Sequence, residues 1–487
     1  MSKSIMFVGT NSSAGKSLFV TAMCRVLSDR GYRVAPFKSQ NMALNSYIDK
    51  DSNEFGRAQA IQAFACRIKP SVYMNPILLK PNSDRKSQVI LLGKKDEIYD
   101  ARTYYQVKSK YLPHIKLAYE KLEEENDVIV LEGAGSPAEI NLLDGDFVNM
   151  GMSEIAKSPV ILVADIDKGG VFASIYGTIM LTPPKWRSNY KGIIINKFRG
   201  DVSILQSGIE QIEAMLGVKV ISVMPYIDVD IEEEDSLNFK KKVKKFDEEK
   251  FDEEKINISI LKLKNLSNFT DISPLKIMPD ININYVLPYE IDKKTDLLII
   301  PASKNVTDDI KSMSGWENIK NYARYGNIIA VGNGVEFLCQ EMNDEEIITR
   351  GLGIFDAKVK HCKEKIVRKE IVLKKRAGLL ENVDEKLEIN YVKTSDIKTK
   401  DVLHEDSDGV IAIQKGNTVA FCGFGIFENT NFINQILNNI RISKNIKENR
   451  EVIDFSVYRE EQIAKLAEEF ERYVDIDELE KIIENGL

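Results

Sequence analysis

Gly9-Thr10-Asn11-Ser12-Ser13-Ala14-Gly15-Lys16-Ser17 is the stretch on which the fold turns. Before it, Ser4-Ile5-Met6-Phe7-Val8 is short and apolar, the pattern of a buried strand. After it, Leu18 to Leu27 places apolar residues at helical spacing. A strand, a glycine-bounded loop and a helix form the setting of a phosphate-binding loop. The glycines let backbone N–H groups curl inward, and the helix start adds its positive end. Gly9, Thr10, Asn11, Ser12, Ala14, Gly15, Lys16 and Ser17 are therefore the candidate nucleotide contacts. Lys16 reaches toward the terminal phosphates, and Ser17 is suited to magnesium. The loop runs one residue longer than G-x-x-x-x-G-K-[ST], with Thr10 where the first glycine would stand.

The 487 residues suffice for two to four domains. Charged residues make up 29% and hydrophobic ones 43%, the balance of a soluble globular chain. A net charge of −7 without a dominant basic stretch argues against nucleic acid as the main partner. No run reaches the ~18 apolar residues of a membrane span, and no leader precedes the loop, so no membrane association and a cytoplasmic location are expected. Five scattered cysteines without metal spacing fit free thiols in a reducing compartment. The three histidines are His114, His361 and His404.

Farther along, Arg33 to Lys38 reads as a second strand running into the polar segment Ser39 to Ser46. Glu54 to Ala60 opens a helix reaching about Cys66. Met74 to Pro81 and Ser87 to Gly93 carry isolated polar residues suited to facing a ligand, and Tyr99 to Glu125 reads as one long helical stretch. Asp127 to Gly135 reads as a buried parallel strand ending in Glu132 and a glycine turn. Similar strands end at Asp165 and at Asn196-Lys197. The repeated units predict an α/β fold with a parallel, doubly wound sheet over residues 1–238. A charged linker, 239–255, contains Phe-Asp-Glu-Glu-Lys twice in tandem. A second α/β domain spans 256–440, and 441–487 is expected to be a charged helical tail without chemistry of its own.

Several segments together resemble the adenosylcobyric acid synthase family: Phe37-Lys38-x-Gln40-Asn41-Met42, Gly56-Arg57-Ala58-Gln59, Met74-Asn75-Pro76, Leu78-Leu79-Lys80-Pro81, Glu132 through Leu142, and Asn196 through Asp201. The resemblance runs to about residue 435. It implies a dethiobiotin-synthetase-like ATP domain followed by a class I glutamine amidotransferase domain. It also implies ATP- and magnesium-dependent amidation of the b, d, e and g carboxylates of adenosylcobyrinic a,c-diamide, through acyl phosphates. On that basis Lys16, Lys38 and Glu132 are the catalytic candidates, with Ser17 and Glu132 as magnesium ligands. Asn196 would read the adenine edge, while Lys38, Gln40, Asn41, Arg57, Gln59 and Lys80 would face the corrinoid. Asp146, Asp165 and Asp167 are weaker candidates, with a helix cap or surface charge as the alternative for each.

The second domain departs from the family pattern. A glutaminase of this class holds its cysteine in a G-x-C-x-G elbow, where Ala330 to Leu338 here carries Gly332. Phe424 stands at the histidine position of Y-x-H-G-[IL]-F, and Leu387-Glu388-Ile389-Asn390 replaces Y-E-I-H. Cys339 is expected two helical turns beyond the elbow, and His404 in an acidic loop. His361 and Cys362, being adjacent, are poorly placed to pair with each other. Without a nucleophile and base within reach, glutamine hydrolysis is expected to be lost, leaving ammonia from solution or from a separate glutaminase. The competing readings are a non-catalytic paralogue binding corrinoid or nucleotide, and an amidoligase for another carboxylate. The sequence is also compatible with a homo-oligomer.

Overall fold

The computed structural model describes residues 2–81, 86–232, 252–344, 347–374, 376–384, 386–447 and 453–487. Most of the expected linker, 239–251, lies outside the described residues. The chain divides into two compact units. The first comprises 1–49, 53–232 and 459–487, and the second comprises 50–52 and 233–458.

The first unit is built on a six-stranded sheet among the described residues. Its strands are β1 (Lys3–Gly9), β2 (Val34–Phe37), β3 (Val128–Glu132), β4 (Val160–Asp165), β5 (Tyr190–Phe198) and β6 (Val220–Pro225). The spatial order is β6-β5-β4-β1-β3-β2, with every pair parallel. Val128 to Glu132 and Val160 to Asp165 are buried along their whole length, as strands covered on both faces require. Strand order reverses around β1, so the loops after β1, β3, β4 and β5 open at one edge, where ligands bind in such sheets. Helix α1 (Lys16–Asp29) follows β1 directly, and α2 (Arg57–Ala65) packs against it.

One expectation changes. Residues 99–125 are not one helix: a strand ends at Asp100, whose carboxylate caps the helix Ala101–Val107. A short 3-10 turn then leads into a second helix, Leu112–Glu125, with proline in its first turn. Ile77–Pro81, Lys86–Leu91 and Lys94–Asp100 join Gln40–Met42 in a separate four-stranded sheet. The expected charged helical tail is helical over Phe455–Tyr473 and Ile476–Asn485, and it packs into the first unit. Ile463, Leu466, Phe470, Leu479 and Ile483 are buried in the same core as Phe7, Phe19 and Val20.

The second unit has a seven-stranded sheet in the order β8-β7-β9-β10-β13-β12-β11 among the described residues. Here β7 is Ile256–Leu261, β8 Ile281–Val286, β9 Leu297–Ile300, β10 Asn327–Val331, β11 Val402–Asp406, β12 Gly409–Lys415 and β13 Thr418–Phe421. Strands β8, β7, β9, β10 and β13 run parallel. A second sheet is dominated by the long antiparallel pair Ala357–Val372 and Lys386–Thr399. Among the described residues, no helix is long and apolar enough to cross a membrane.

Candidate active site

The loop after β1 is closed on itself. Thr10 N–H bonds the Val163 carbonyl at 3.0 Å, and Ser13 N–H bonds the Asn11 side chain at 3.0 Å. Gly15, with φ +108, starts α1 in the left-handed region that glycine tolerates. A Cβ there would lie 2.4 Å from Asn196 Nδ2, so glycine also admits the neighbouring strand end. Lys16 is buried, and its ammonium donates to the carbonyls of Asn11 (2.9 Å), Ser12 (3.4 Å) and Gly135 (3.2 Å). The lysine thus bridges the first loop and the glycine turn after β3.

Glu132 is the centre of the arrangement. Register places it beside Phe7 at the loop end of the sheet, and its side chain is 1% exposed. Ser17 Oγ and Lys38 Nζ both donate to its Oε1 at 2.8 Å. Gln62 Nε2 donates to Oε2 at 2.6 Å. Three elements beyond its own strand, α1, the end of β2 and α2, therefore converge on one buried carboxylate. Burying a charge this deeply requires such pairing. The Glu132 Oε1 and Ser17 Oγ pair is an oxygen set suited to a hard divalent cation.

The other strand ends close around the loop. Asn196, buried at the end of β5, donates to the Ala14 carbonyl at 2.8 Å. Lys197 donates to the Ser13 carbonyl and to Asp165, each at 2.7 Å. Lys168 donates to Asn11 Oδ1 at 3.2 Å and to Ser13 Oγ at 3.3 Å. Lys197, Lys168 and Gln62 are functional candidates that sequence reasoning missed. Lys197 sits within the quoted Asn196–Asp201 segment, and Gln62 repeats Gln59 one turn later on the same helix. Asp146 accepts the N–H groups of Val148, Asn149 and Gly151 in the manner of a cap, and Asp167 lies 3.8 Å from Arg199.

The expected corrinoid-facing residues hold protein partners. Asn41 donates to Gln59 at 3.0 Å, and both are buried. Gln40 accepts from the Tyr104 hydroxyl. Lys80 pairs with buried Glu54 at 2.5 Å. Burial works to raise the Glu54 carboxyl, but Lys80 outweighs it and the carboxyl lies below its ordinary range. Arg57 pairs with Glu232, which also takes Arg459 Nε at 2.8 Å. Burial opposes the Glu232 charge, yet the two guanidiniums hold its pKa down at about 2. Asn75 is structural: it donates to the Lys38 and Ile77 carbonyls at 2.9 Å each and accepts from Gly56 N–H at 3.0 Å. A Cβ on Gly56 would lie 2.4–3.0 Å from Gln59, Asn41 and Asn75, which explains the glycine in Gly56-Arg57-Ala58-Gln59.

In the second unit, the three altered positions come together. Gly332 follows β10 with φ +59, at the turn into the short helix α3 (Gly334–Leu338). Its N–H bonds the Gly423 carbonyl at 2.8 Å, and Phe424 is the register partner of Asn390. Phe424, Val331, Pro301, Ala302 and Tyr285 line a small apolar pocket there. Cys339 is the C-cap of α3, buried and bonded to the Val335 carbonyl at 3.4 Å. Burial pushes the Cys339 thiol well up, and carries the Cys422 thiol to about 12. His361 pairs with buried Glu336 at 3.0 Å, and Glu336 also takes the Thr394 and Ser395 hydroxyls at 3.3 Å. His404 lies on β11, not in a loop, against the Val372 carbonyl at 2.7 Å.

Residues 5–239 match the model of the CobQ/CobB/MinD/ParA nucleotide binding domain, and residues 257–432 match the CobB/CobQ-like glutamine amidotransferase domain. The chain is 43% identical to a cobyric acid synthase of Limosilactobacillus reuteri over 500 residues, covering 99% of both chains. The chain belongs to the cobyric acid synthase family. A cobyric acid synthase of Streptococcus sanguinis is 42% identical, again over 99% of both chains, and one of Clostridium tetani is 39% identical over 98% of both. Within that family's frame, the first unit is the nucleotide-binding fold built on the Gly9–Ser17 loop, and the second is the amidotransferase-like fold.

Proposed function

We propose that the chain is an ATP-dependent carbon–nitrogen ligase that amidates the b, d, e and g carboxylates of adenosylcobyrinic a,c-diamide in cobalamin biosynthesis. The observation carrying this reading is the convergence of Lys16, Ser17, Lys38 and Glu132 at the loop end of the sheet. A carboxylate is a poor acyl donor because oxide is a poor leaving group. Transfer of the γ-phosphoryl group to a carboxylate oxygen releases ADP and gives an acyl phosphate. Ammonia then adds to the carbonyl carbon, inorganic phosphate leaves, and the nitrogen loses a proton to form the amide. Catalysis of the first step is positioning and charge neutralisation.

Lys16 exchanges its carbonyl partners for phosphate oxygens when nucleotide enters, since all three acceptors belong to the loops forming the cradle. Ser17 and Glu132 would hold magnesium, which would supply charge neutralisation for the phosphates. Lys38, which donates to Glu132 beside the loop, would meet the incoming substrate carboxylate. Asn196 fixes the Ala14 carbonyl and thereby the loop; its assignment to the adenine edge rests on the family likeness. The substrate contacts of Gln40, Asn41, Arg57, Gln59 and Lys80 require exchange of the partners they now hold.

The amidotransferase-like unit supplies no ammonia in this reading. Gly332 has no side chain at the elbow, Phe424 supplies no base, and the neighbouring cysteines are buried and held protonated. Incubation with corrinoid, ATP and magnesium should give amide with ammonium and none with glutamine alone. Mass spectrometry follows each amidation as a fall of about one mass unit, the replacement of a hydroxyl by an amino group. Equal rates with glutamine would overturn the assignment of the second unit. No corrinoid-dependent ADP formation with either nitrogen source would overturn the ligase reading.

A further inference from the structure

Gln62 is fully buried on α2 and belongs to none of the segments that carry the family likeness. Its amide nitrogen lies 2.6 Å from Glu132 Oε2, while Ser17 and Lys38 share Oε1. Charge fixes the sense of the amide, because the reverse orientation would press its carbonyl oxygen against a carboxylate. The Gln62 carbonyl oxygen has no hydrogen-bond partner among the described residues. Gln59, equally buried one turn earlier on the same helix, likewise leaves one end bare among the described residues, its amide nitrogen, but its carbonyl oxygen accepts from Asn41 and it does not touch Glu132. What sets Gln62 apart is therefore the group its donor meets, the buried Glu132 carboxylate.

We propose that Gln62 is a positioning residue for Glu132: by pinning Oε2 it keeps Oε1 turned toward Ser17 and so sets the affinity of the nucleotide-bound divalent cation. This rests on the reading that Ser17 and Glu132 hold that cation. Without the amide, the carboxylate is free to turn about its Cγ–Cδ bond and to close on Lys38 alone. Oxygen ligands are tuned in this way by the groups that bond their far side, and loss of such a partner costs about 10–100-fold in metal affinity.

The test uses the full chain with Mn2+ and a non-hydrolysable ATP analogue, free Mn2+ being read by electron paramagnetic resonance. Gln62→Leu should weaken Mn2+ binding about tenfold or more, with metal-free analogue affinity unchanged. Gln62→Asn keeps a polar side chain but withdraws the amide by one methylene, and should weaken Mn2+ binding in the same direction. Asn189→Leu, which removes a buried amide bonded to Ser153 at the opposite end of the sheet from Glu132, should leave the Mn2+ affinity within about twofold, since distant, unshared contacts do not couple. Unchanged Mn2+ affinity in a folded Gln62→Leu or Gln62→Asn protein overturns the proposal, as does equal weakening by Asn189→Leu. Failure of the unaltered protein to bind Mn2+ with the analogue overturns the underlying Ser17–Glu132 reading instead. None of these readouts depends on the corrinoid chemistry.

Discussion

Lys16 and Glu132 are buried groups of opposite charge, Lys16 held by the carbonyls of Asn11 and Gly135 and Glu132 by Ser17 and Lys38. Lys16 is surrounded by backbone carbonyls, acceptors that carry no full charge to exchange, and is thus poised for phosphate. Replacing it with methionine keeps most of the stem volume and removes the cation. Lys16→Met should lower corrinoid-dependent ADP formation by about 100–1,000-fold, the usual loss when one preorganised transition-state donor is removed. At the elbow of the second unit, a side chain on Gly332 would set its Cβ 2.9 Å from that of Ala302, with Phe424 in place of a base. Gly332→Cys alone should therefore release no glutamate from glutamine above the unaltered chain, as read by a coupled dehydrogenase assay.

Helix α2 shows how an element serves the site. It begins at Arg57, which is tied to Glu232, and carries Gln59 and Gln62 one turn apart toward Asn41 and Glu132. Helical spacing decides which contacts are made, since residues three apart share a face. Glu232 holds Arg57 from one side and Arg459 from another, with its pKa at about 2. A folded-state value below the unfolded one of about 4.3 stabilises the fold above the unfolded pKa. That contribution is lost as pH falls through the folded value, so the window runs from about pH 4.3 down to about 2 and is worth roughly 3 kcal/mol. Glu232→Gln should destabilise the chain by about 3–5 kcal/mol at pH 7, because it leaves buried guanidiniums without their counter-charge. The deficit should narrow as pH drops through that window, which denaturant unfolding at stepped pH measures.

For the whole molecule, the C-terminal helices α4 (Phe455–Tyr473) and α5 (Ile476–Asn485) matter most. From Arg459 onward they belong to the first unit. Phe470 meets the Phe19 ring edge-on at 5.6 Å, and Ser222 donates to the Tyr473 carbonyl at 2.7 Å. Each fully buried large apolar side chain contributes about 1.5–3 kcal/mol, and Ile463, Leu466, Phe470, Leu479 and Ile483 together rival a whole domain's net stability of about 5–15 kcal/mol. A chain ending at residue 453 should lose most of its soluble yield. Any soluble fraction should unfold well below the intact protein in a thermal scan and bind nucleotide weakly.

The sequence by itself determined the parallel sheet, the loop on β1 and the placing of Glu132, because strand period, glycine spacing and a terminal acid are local patterns. The glycine turn after β10 was legible too, while the reading of Gly332 and Phe424 as altered glutaminase positions rests on the family resemblance. The stripe Ile463, Leu466, Ala467, Phe470 signalled a buried face at helical spacing, but charge density around it masked that reading. Only the tertiary structure decided the partners of Arg57, Lys80 and Asn41, the structural use of Asn75, and the approach of Gln62 to Glu132. The physical reason is distance along the chain. Gln62 and Glu132 are 70 residues apart, and Arg57 and Glu232 are 175 apart. Burial of charge makes such pairings obligatory without fixing which residues meet, and that choice belongs to the packing of whole elements.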